Sequence, residues 1–281
     1  ITKNIWKKDS MSLVTTNWLE KNITKVKLFD CSWHMPSVKR DGYKEYIKEH
    51  LKNAIFFDLD KNSDQNTDLP HMLVDKKSWE KILSSMGILN DDDIVIYDNS
   101  DLISSCRLWY NFIYFGHNPQ LVHVLDGGLK KWKNENKEVT NLFTKNINSK
   151  YLAKEFYHLV KDKNQINENT YKNKFKVIDA RSKERFEGKI KEPRKGTRSG
   201  SIPKSLCLPY KKLINEDNSF KNKNEISEIF KEILGQEMTT NVIFSCGSGV
   251  TASVLALAYS LINNKYMPII YDGSWAEYGK I

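Results

Sequence analysis

No apolar run in these 281 residues approaches the roughly 20 that a helix needs to span a bilayer. The opening, Ile1-Thr2-Lys3-Asn4-Ile5-Trp6, lacks the apolar core of a secretory leader. The missing apolar run argues against a membrane partner. Cysteine is scarce. Cys31, Cys106, Cys207 and Cys246 form no C-x-x-C pair, and histidines at zinc-ligand spacing are missing. Neither a metal nor a cofactor is expected, and free thiols in a reducing compartment are the simplest reading. The cytoplasm is the expected location. The chain also has no initiator Met, so a mitochondrial location is the alternative if an upstream targeting segment has been removed. Net charge is +9 and the pI about 9.1, which raises the question of nucleic acid. Yet lysine is scattered among Asn and Glu, as in Lys221-Asn222-Lys223-Asn224-Glu225, and no stripe of basic and aromatic residues exists. The excess reads as a compositional bias that attracts small anions, without a nucleic-acid partner.

What is present is concentrated near the C-terminal end, at Cys246-Gly247-Ser248-Gly249-Val250-Thr251. The apolar run Val242-Ile243-Phe244 leads in, and the small-residue helical pattern Ala252-Ser253-Val254-Leu255-Ala256-Leu257-Ala258 leads out. The pattern predicts a strand, a tight loop and a helix, with a thiol at the first loop position. Two glycines allow backbone conformations that other residues resist, so several amides can turn toward the sulfur. The helix start adds unpaired N–H groups and the positive end of its dipole. Both favour a thiolate, and a nucleophilic Cys246 follows. A buried, inert cysteine at a strand end is the plain alternative.

The chain repeats itself at a spacing of about 150 residues, too long a period for a solenoid. Val26-Lys27-Leu28-Phe29-Asp30 answers to Phe175-Lys176-Val177-Ile178-Asp179, and Leu51-Lys52-Asn53-Ala54-Ile55 to Ile202-Pro203-Lys204-Ser205-Leu206. Ile94-Val95-Ile96-Tyr97-Asp98 answers to Asn241-Val242-Ile243-Phe244-Ser245-Cys246, and Val122-His123-Val124-Leu125-Asp126-Gly127-Gly128 to Pro268-Ile269-Ile270-Tyr271-Asp272-Gly273-Ser274. Short strands alternate with helical segments, such as Lys77 to Met86 before Gly87 and Glu225 to Leu234 before Gly235. This predicts an α/β protein of two like domains, each a mostly parallel sheet with helices on both faces. Residues 9–140 form the expected first domain, 141–157 a polar linker and 158–281 the second domain. Ligands of such sheets bind at the C-terminal ends of strands, where Cys246 sits. Asp98 holds the matching place in the first copy, so that copy is expected to be catalytically silent.

In these residues the chain resembles the tandem rhodanese-domain sulfurtransferases. The signatures are Phe29-Asp30-Cys31-Ser32-Trp33, Phe56-Phe57-Asp58-Leu59-Asp60, His71-Met72-Leu73, Leu125-Asp126-Gly127-Gly128-Leu129, Cys246-Gly247-Ser248-Gly249-Val250-Thr251-Ala252 and Tyr271-Asp272-Gly273-Ser274-Trp275. They run through nearly the whole length. Thiosulfate-preferring members place basic residues just after the cysteine; the neutral Gly247-Ser248 pair is the pattern of the mercaptopyruvate branch. A phosphatase of the C-x5-R type would need arginine at the place of Ala252 and so lacks its main phosphate ligand.

The resemblance implies sulfur transfer from 3-mercaptopyruvate through a Cys246 persulfide to thioredoxin or another small thiol, or to cyanide, with release of pyruvate. It implies Arg185 and Arg194 as ligands of the donor's carboxylate and ketone, since arginine grips a carboxylate with two parallel hydrogen bonds. Arg181 and Arg198 are weaker candidates. Gly247, Gly249, Val250 and Thr251 would supply backbone amides around the sulfur. Ser248, His71 and Asp60 map onto a proposed proton relay in which the acid orients the imidazole and the imidazole polarises the hydroxyl. Asp64 and Asp68 stand near Asp60 in the chain. Cys31 reads as packing, and Cys106 and Cys207 have no evident catalytic neighbours. The alternatives are a thiosulfate:cyanide sulfurtransferase and, in another class, a rhodanese-like binding module without catalysis.

Overall fold

The computed structural model describes residues 11–281. The reading of the first six residues, and the first two positions of the expected 9–140 domain, lie outside the described residues. Two compact units emerge. The first comprises the described residues up to Asp64, with Val74–Phe156 and Glu216–Ser219; the second comprises Gln65–Leu73, Tyr157–Asn215 and Phe220–Ile281.

In the first unit the strands are β1 (Leu13–Val14), β2 (Lys27–Asp30), β3 (Ala54–Phe56), β4 (Ile94–Tyr97) and β5 (Val122–Leu125). They lie in the order β1-β5-β4-β2-β3, every pair parallel. The helices are α1 (Thr16–Asn22), α2 (Gly42–Lys48), α3 (Lys76–Ser85), α4 (Ser105–Tyr114) and α5 (Gly128–Asn134). β4 and β5 are buried at every residue, as strands covered on both faces must be. The α3 helix starts at an Asp75 cap and runs into Gly87, whose φ of 74° ends it, as the sequence pattern predicts.

In the second unit β6 (Val160–Lys161), β7 (Lys176–Asp179), β8 (Leu206–Cys207), β9 (Val242–Ser245) and β10 (Ile270–Tyr271) take the order β6-β10-β9-β7-β8, again all parallel. This is the first sheet's order, strand for strand. The helices are α6 (Lys163–Lys172), α7 (Lys183–Phe186), α8 (Lys223–Leu234), α9 (Val250–Ile262) and α10 (Ser274–Tyr278). Capping boxes, Asp162 with Gln165 and Asn222 with Glu225, start α6 and α8. Every residue of α9 from Val250 to Tyr259 is buried, so this helix is apolar all round and packs as the unit's central helix.

The two units exchange short pieces of chain. Gln65–Leu73 precedes α3 in sequence yet belongs to the second unit, and Glu216–Ser219 belongs to the first. Local contacts hold each piece. Leu73 N–H donates to Asp272 at 2.9 Å, and Lys280 Nζ pairs with Asp68 at 2.6 Å. Lys131 pairs with Asp217 at 2.9 Å. Between Asn134 and Tyr157 no helix or strand forms, and this stretch is tied to the first unit by Ser149 N–H to Ser84 O and Ala153 N–H to Glu80.

Candidate active site

The second unit carries the sulfur loop. β9 ends at Ser245, Cys246 follows, and α9 begins at Val250. Register fixes the depth of the thiol: Ser245 pairs with Asp179 at the C-terminal edge of the sheet, so Cys246 is the first residue beyond it. Only 2% of Cys246 is exposed. Gly249 N–H donates to Cys246 Sγ at 3.1 Å, aimed where negative charge on sulfur would sit. The two loop glycines differ in what they do. Gly249 has φ 80°, a left-handed conformation that costs a residue with a Cβ and that turns its amide back to the sulfur. Gly247 is not left-handed. A Cβ there would stand 3.2 Å from Arg185 Nη2, so Gly247 leaves room for a guanidinium. Val250 and Thr251 form the first turn of α9, where amides have no intrahelical acceptor.

Ser248 is buried, and its Oγ shares a 2.9 Å hydrogen bond with Nδ1 of buried His71. His71 reaches it because Gln65–Leu73 belongs to the second unit. The backbone of His71 is left-handed, φ 60°, a conformation histidine adopts more readily than most residues. Asp60 is placed in the first unit, exposed, where its carboxylate accepts Trp33 Nε1–H at 3.0 Å.

The arginines are arranged around one acid that sequence reasoning missed. Glu192 takes Arg185 in a fork, Nε to Oε1 at 3.0 Å and Nη2 to Oε2 at 2.6 Å. Its Oε1 also accepts Arg181 Nη1 at 2.9 Å. Arg181 is fully engaged elsewhere too. It grips Asp179, bonds Gly200 O at 2.8 Å and lies over the Trp275 ring at 4.7 Å. Arg181 is thus structural, a buried brace, and Arg198 also lies over Trp275. Arg185 keeps a fifth of its side chain exposed. Glu192 holds the Nε and Nη2 edge of its guanidinium, and Nη2 is also the atom that faces Gly247. Arg194 is half-buried on the same loop, two positions after Glu192.

A second missed group is Ser274. It is completely buried with φ 49°, its Oγ accepts Cys246 N–H at 3.2 Å, and it donates to Tyr271 O at 2.8 Å. The first unit holds Gly128 at the matching place, which is why the repeat gave a signal for it.

The other thiols are electrostatically unlike a nucleophile. Burial pushes Cys31 and Cys106 well above the ordinary thiol range, with the Asp98 charge adding to it. Burial, then Asp179, pushes Cys207 up to about 11. Among the described residues no group of three or more His, Cys, Asp or Glu could hold a metal ion, and no helix is long and apolar enough to cross a membrane.

Comparison with known proteins bears on the family and the fold. The model of the rhodanese-like domain matches residues 15–135 and again 154–280. The chain is 35% identical over 294 residues to thiosulfate/3-mercaptopyruvate sulfurtransferase 1, mitochondrial, of Arabidopsis thaliana, covering 96% of this chain and 76% of that one. It is 33% identical to the 3-mercaptopyruvate sulfurtransferase of Mus musculus, covering 95% and 91%. Among solved structures, SseA from Escherichia coli, described as a 3-mercaptopyruvate sulfotransferase of rhodanese fold, superposes with a TM-score of 0.82 at 28% identity, covering 94% of this chain and 99% of SseA.

Proposed function

From a chain that belongs to the rhodanese-like domain family, and is a sulfur-transferring enzyme like the relatives it matches, we propose that the donor is 3-mercaptopyruvate and the carrier a persulfide on Cys246. The observation that carries the donor assignment is the neutral Gly247-Ser248 pair with Ser248 hydrogen-bonded to His71 at 2.9 Å. A neutral loop with a proton-transferring pair suits a thiol of a 2-oxo acid, which must lose a proton and whose leaving carbon must gain one. A dianionic donor needs no such pair and would favour positive side chains in its place.

The Cys246 thiolate attacks the donor sulfur. The S–S bond forms, the C–S bond breaks, and the electron pair leaves as pyruvate enolate, which is protonated to pyruvate. Arg185, held by Glu192, and Arg194 bind the carboxylate and ketone and stabilise the enolate. The amides of Gly247, Gly249, Val250 and Thr251 surround the charge on the outer sulfur. Ser248 and His71 move the proton. An acceptor thiol, such as thioredoxin or a small thiol, or cyanide, then attacks the outer sulfur and regenerates Cys246. A second thiol converts the acceptor persulfide to a disulfide and hydrogen sulfide. In this reading residues 9–140 form a silent domain, 141–157 a linker and 158–281 the catalytic domain. The enzyme works in the cytoplasm or, with a targeting segment upstream, in the mitochondrion.

Steady-state kcat/KM with 3-mercaptopyruvate and with thiosulfate, both to cyanide, tests the donor. A preference for 3-mercaptopyruvate of at least about tenfold is expected. A preference for thiosulfate replaces the assignment with a thiosulfate:cyanide sulfurtransferase.

A further inference from the structure

Ser274 sits in a conformation that a serine does not adopt without reason. Its φ is 49°, and a residue with a Cβ held there carries strain that its surroundings must offset. The twin position, Gly128 in the first unit, has φ 55° and no side chain. The two are equivalent by hydrogen bonding: Leu129 N–H donates to Asp98 O and Trp275 N–H to Cys246 O, each at 2.9 Å. A Cβ at Gly128 would stand 2.5 Å from Asp98 O. The second unit accommodates a Cβ and a hydroxyl at that place.

We propose that Ser274 is a positioning residue for Cys246, acting with the two amides that follow it to set the direction of the sulfur loop. The proposal rests on Cys246 being the sulfur carrier. Three contacts lock the loop from behind. Cys246 N–H is taken by Ser274 Oγ, Cys246 O by Trp275 N–H and Gly247 O by Ala276 N–H, the last two at 2.9 Å. Among the described residues no peptide bond is cis. In a trans peptide the C=O of one residue and the N–H of the next point in opposite directions. Holding the carbonyls of Cys246 and Gly247 toward α10 therefore turns the N–H groups of Gly247 and Ser248 away from it. The Ser274 hydroxyl has its own proton committed to Tyr271 O, so a lone pair faces Cys246 N–H. This removes the nucleophile's own amide from the set that must be solvated or paired elsewhere, and fixes the Cα from which Sγ projects. Ser274 touches the nucleophile's backbone and not the donor, so its loss should fall on the rate of sulfur loading rather than on donor binding.

The test uses the full chain with Ser274→Gly and Ser274→Ala, single-turnover loading from 3-mercaptopyruvate followed by intact mass, and thermal unfolding. Glycine relieves the left-handed strain while alanine retains it, yet both remove the hydroxyl. Both variants are expected to load sulfur about tenfold more slowly, with the donor concentration for half-maximal rate changed by less than about twofold. The Gly variant should melt at or above the wild-type temperature and above the Ala variant. Loading at the wild-type rate in the Gly variant would overturn the proposal. So would rates that follow melting temperature, the mark of a merely structural role. If wild type itself gains no sulfur, the assignment of Cys246 as carrier fails first and takes this one with it.

Discussion

Asp98 and Cys246 hold the same register position in two sheets of the same strand order, and their loops spend their amides differently. Cys31 N–H bonds Tyr97 O in the first unit, and Ala180 N–H bonds Ser245 O in the second, so the residue after each central strand starts from the same place. After Asp98 the chain runs through Asn99 to Ser104 before α4 begins. The Asp98 carboxylate takes Ser100 N–H at 2.8 Å and Ser105 N–H at 2.9 Å. The side chain satisfies its own loop. Burial raises its pKa, against the pull of the Ser105 and Ser100 bonds, so even its charge is costly there. After Cys246 only three residues precede α9, and Gly249 N–H turns back to sulfur. A long loop is closed by its own carboxylate; a short one with a left-handed glycine turns an amide to the sulfur. The same frame occurs twice, and in the proposed function loop length with one residue type sets which copy carries sulfur.

The largest effect should come from removing the difference outright. Cys246→Ser should reduce turnover of 3-mercaptopyruvate to background in a pyruvate-release assay. Next is Arg185→Lys, which keeps the charge but loses the fork with Glu192. A drop in kcat/KM of about a hundredfold is expected, and unchanged kinetics would remove Arg185 from the donor site. His71→Ala should lower kcat about tenfold while the melting temperature stays within a few degrees, because Leu73 to Asp272 and Asp68 to Lys280 still hold the segment. Full activity would reduce the Ser248–His71 bond to a structural contact.

Smaller still is a pH effect in the first unit. Burial pushes the Asp30 carboxyl up to about 7, against bonds from Ser32. The folded state therefore binds this proton more tightly than the unfolded state. Stability from it is full below the ordinary carboxylate range and is lost as pH rises toward and through about 7. Asp30→Asn should flatten that loss, read as urea midpoints at about pH 5 and about pH 8. Parallel falls in both proteins would contradict it. The smallest expected change is the most pointed: Asp98→Cys should place a thiol at the twin position and gain no sulfur, since the loop there lacks a glycine that returns an amide to it.

Much of this comparison was legible before any coordinates. The paired apolar runs ending at Asp30 and Asp179, and at Tyr97 and Ser245, are local patterns, and strands and capped helices follow from local patterns. The strand, tight loop and helix around Cys246 were legible because an apolar run, two glycines and a small-residue helical pattern are each local signals. Glu192 was not, because a carboxylate among many lysines looks like a solvated face until two arginines converge on it. Ser274 was missed because its left-handed backbone is set by hydrogen bonds to Cys246 and Tyr271, and serine does not advertise φ. The glycine pair was read as one device; Gly249 supplies the turn and Gly247 the clearance for Arg185. The exchange of Gln65–Leu73 into the second unit depends on long-range pairs that no periodicity encodes.

Of the four thiols, Cys246 alone should take sulfur from the donor. The direct measurement is peptide mapping of the persulfide after one equivalent of 3-mercaptopyruvate, with alkylation to trap it. One added sulfur on Cys246, and none on Cys31, Cys106 or Cys207, is the predicted result. Sulfur on Cys207, or on no cysteine while pyruvate is still released, would contradict it.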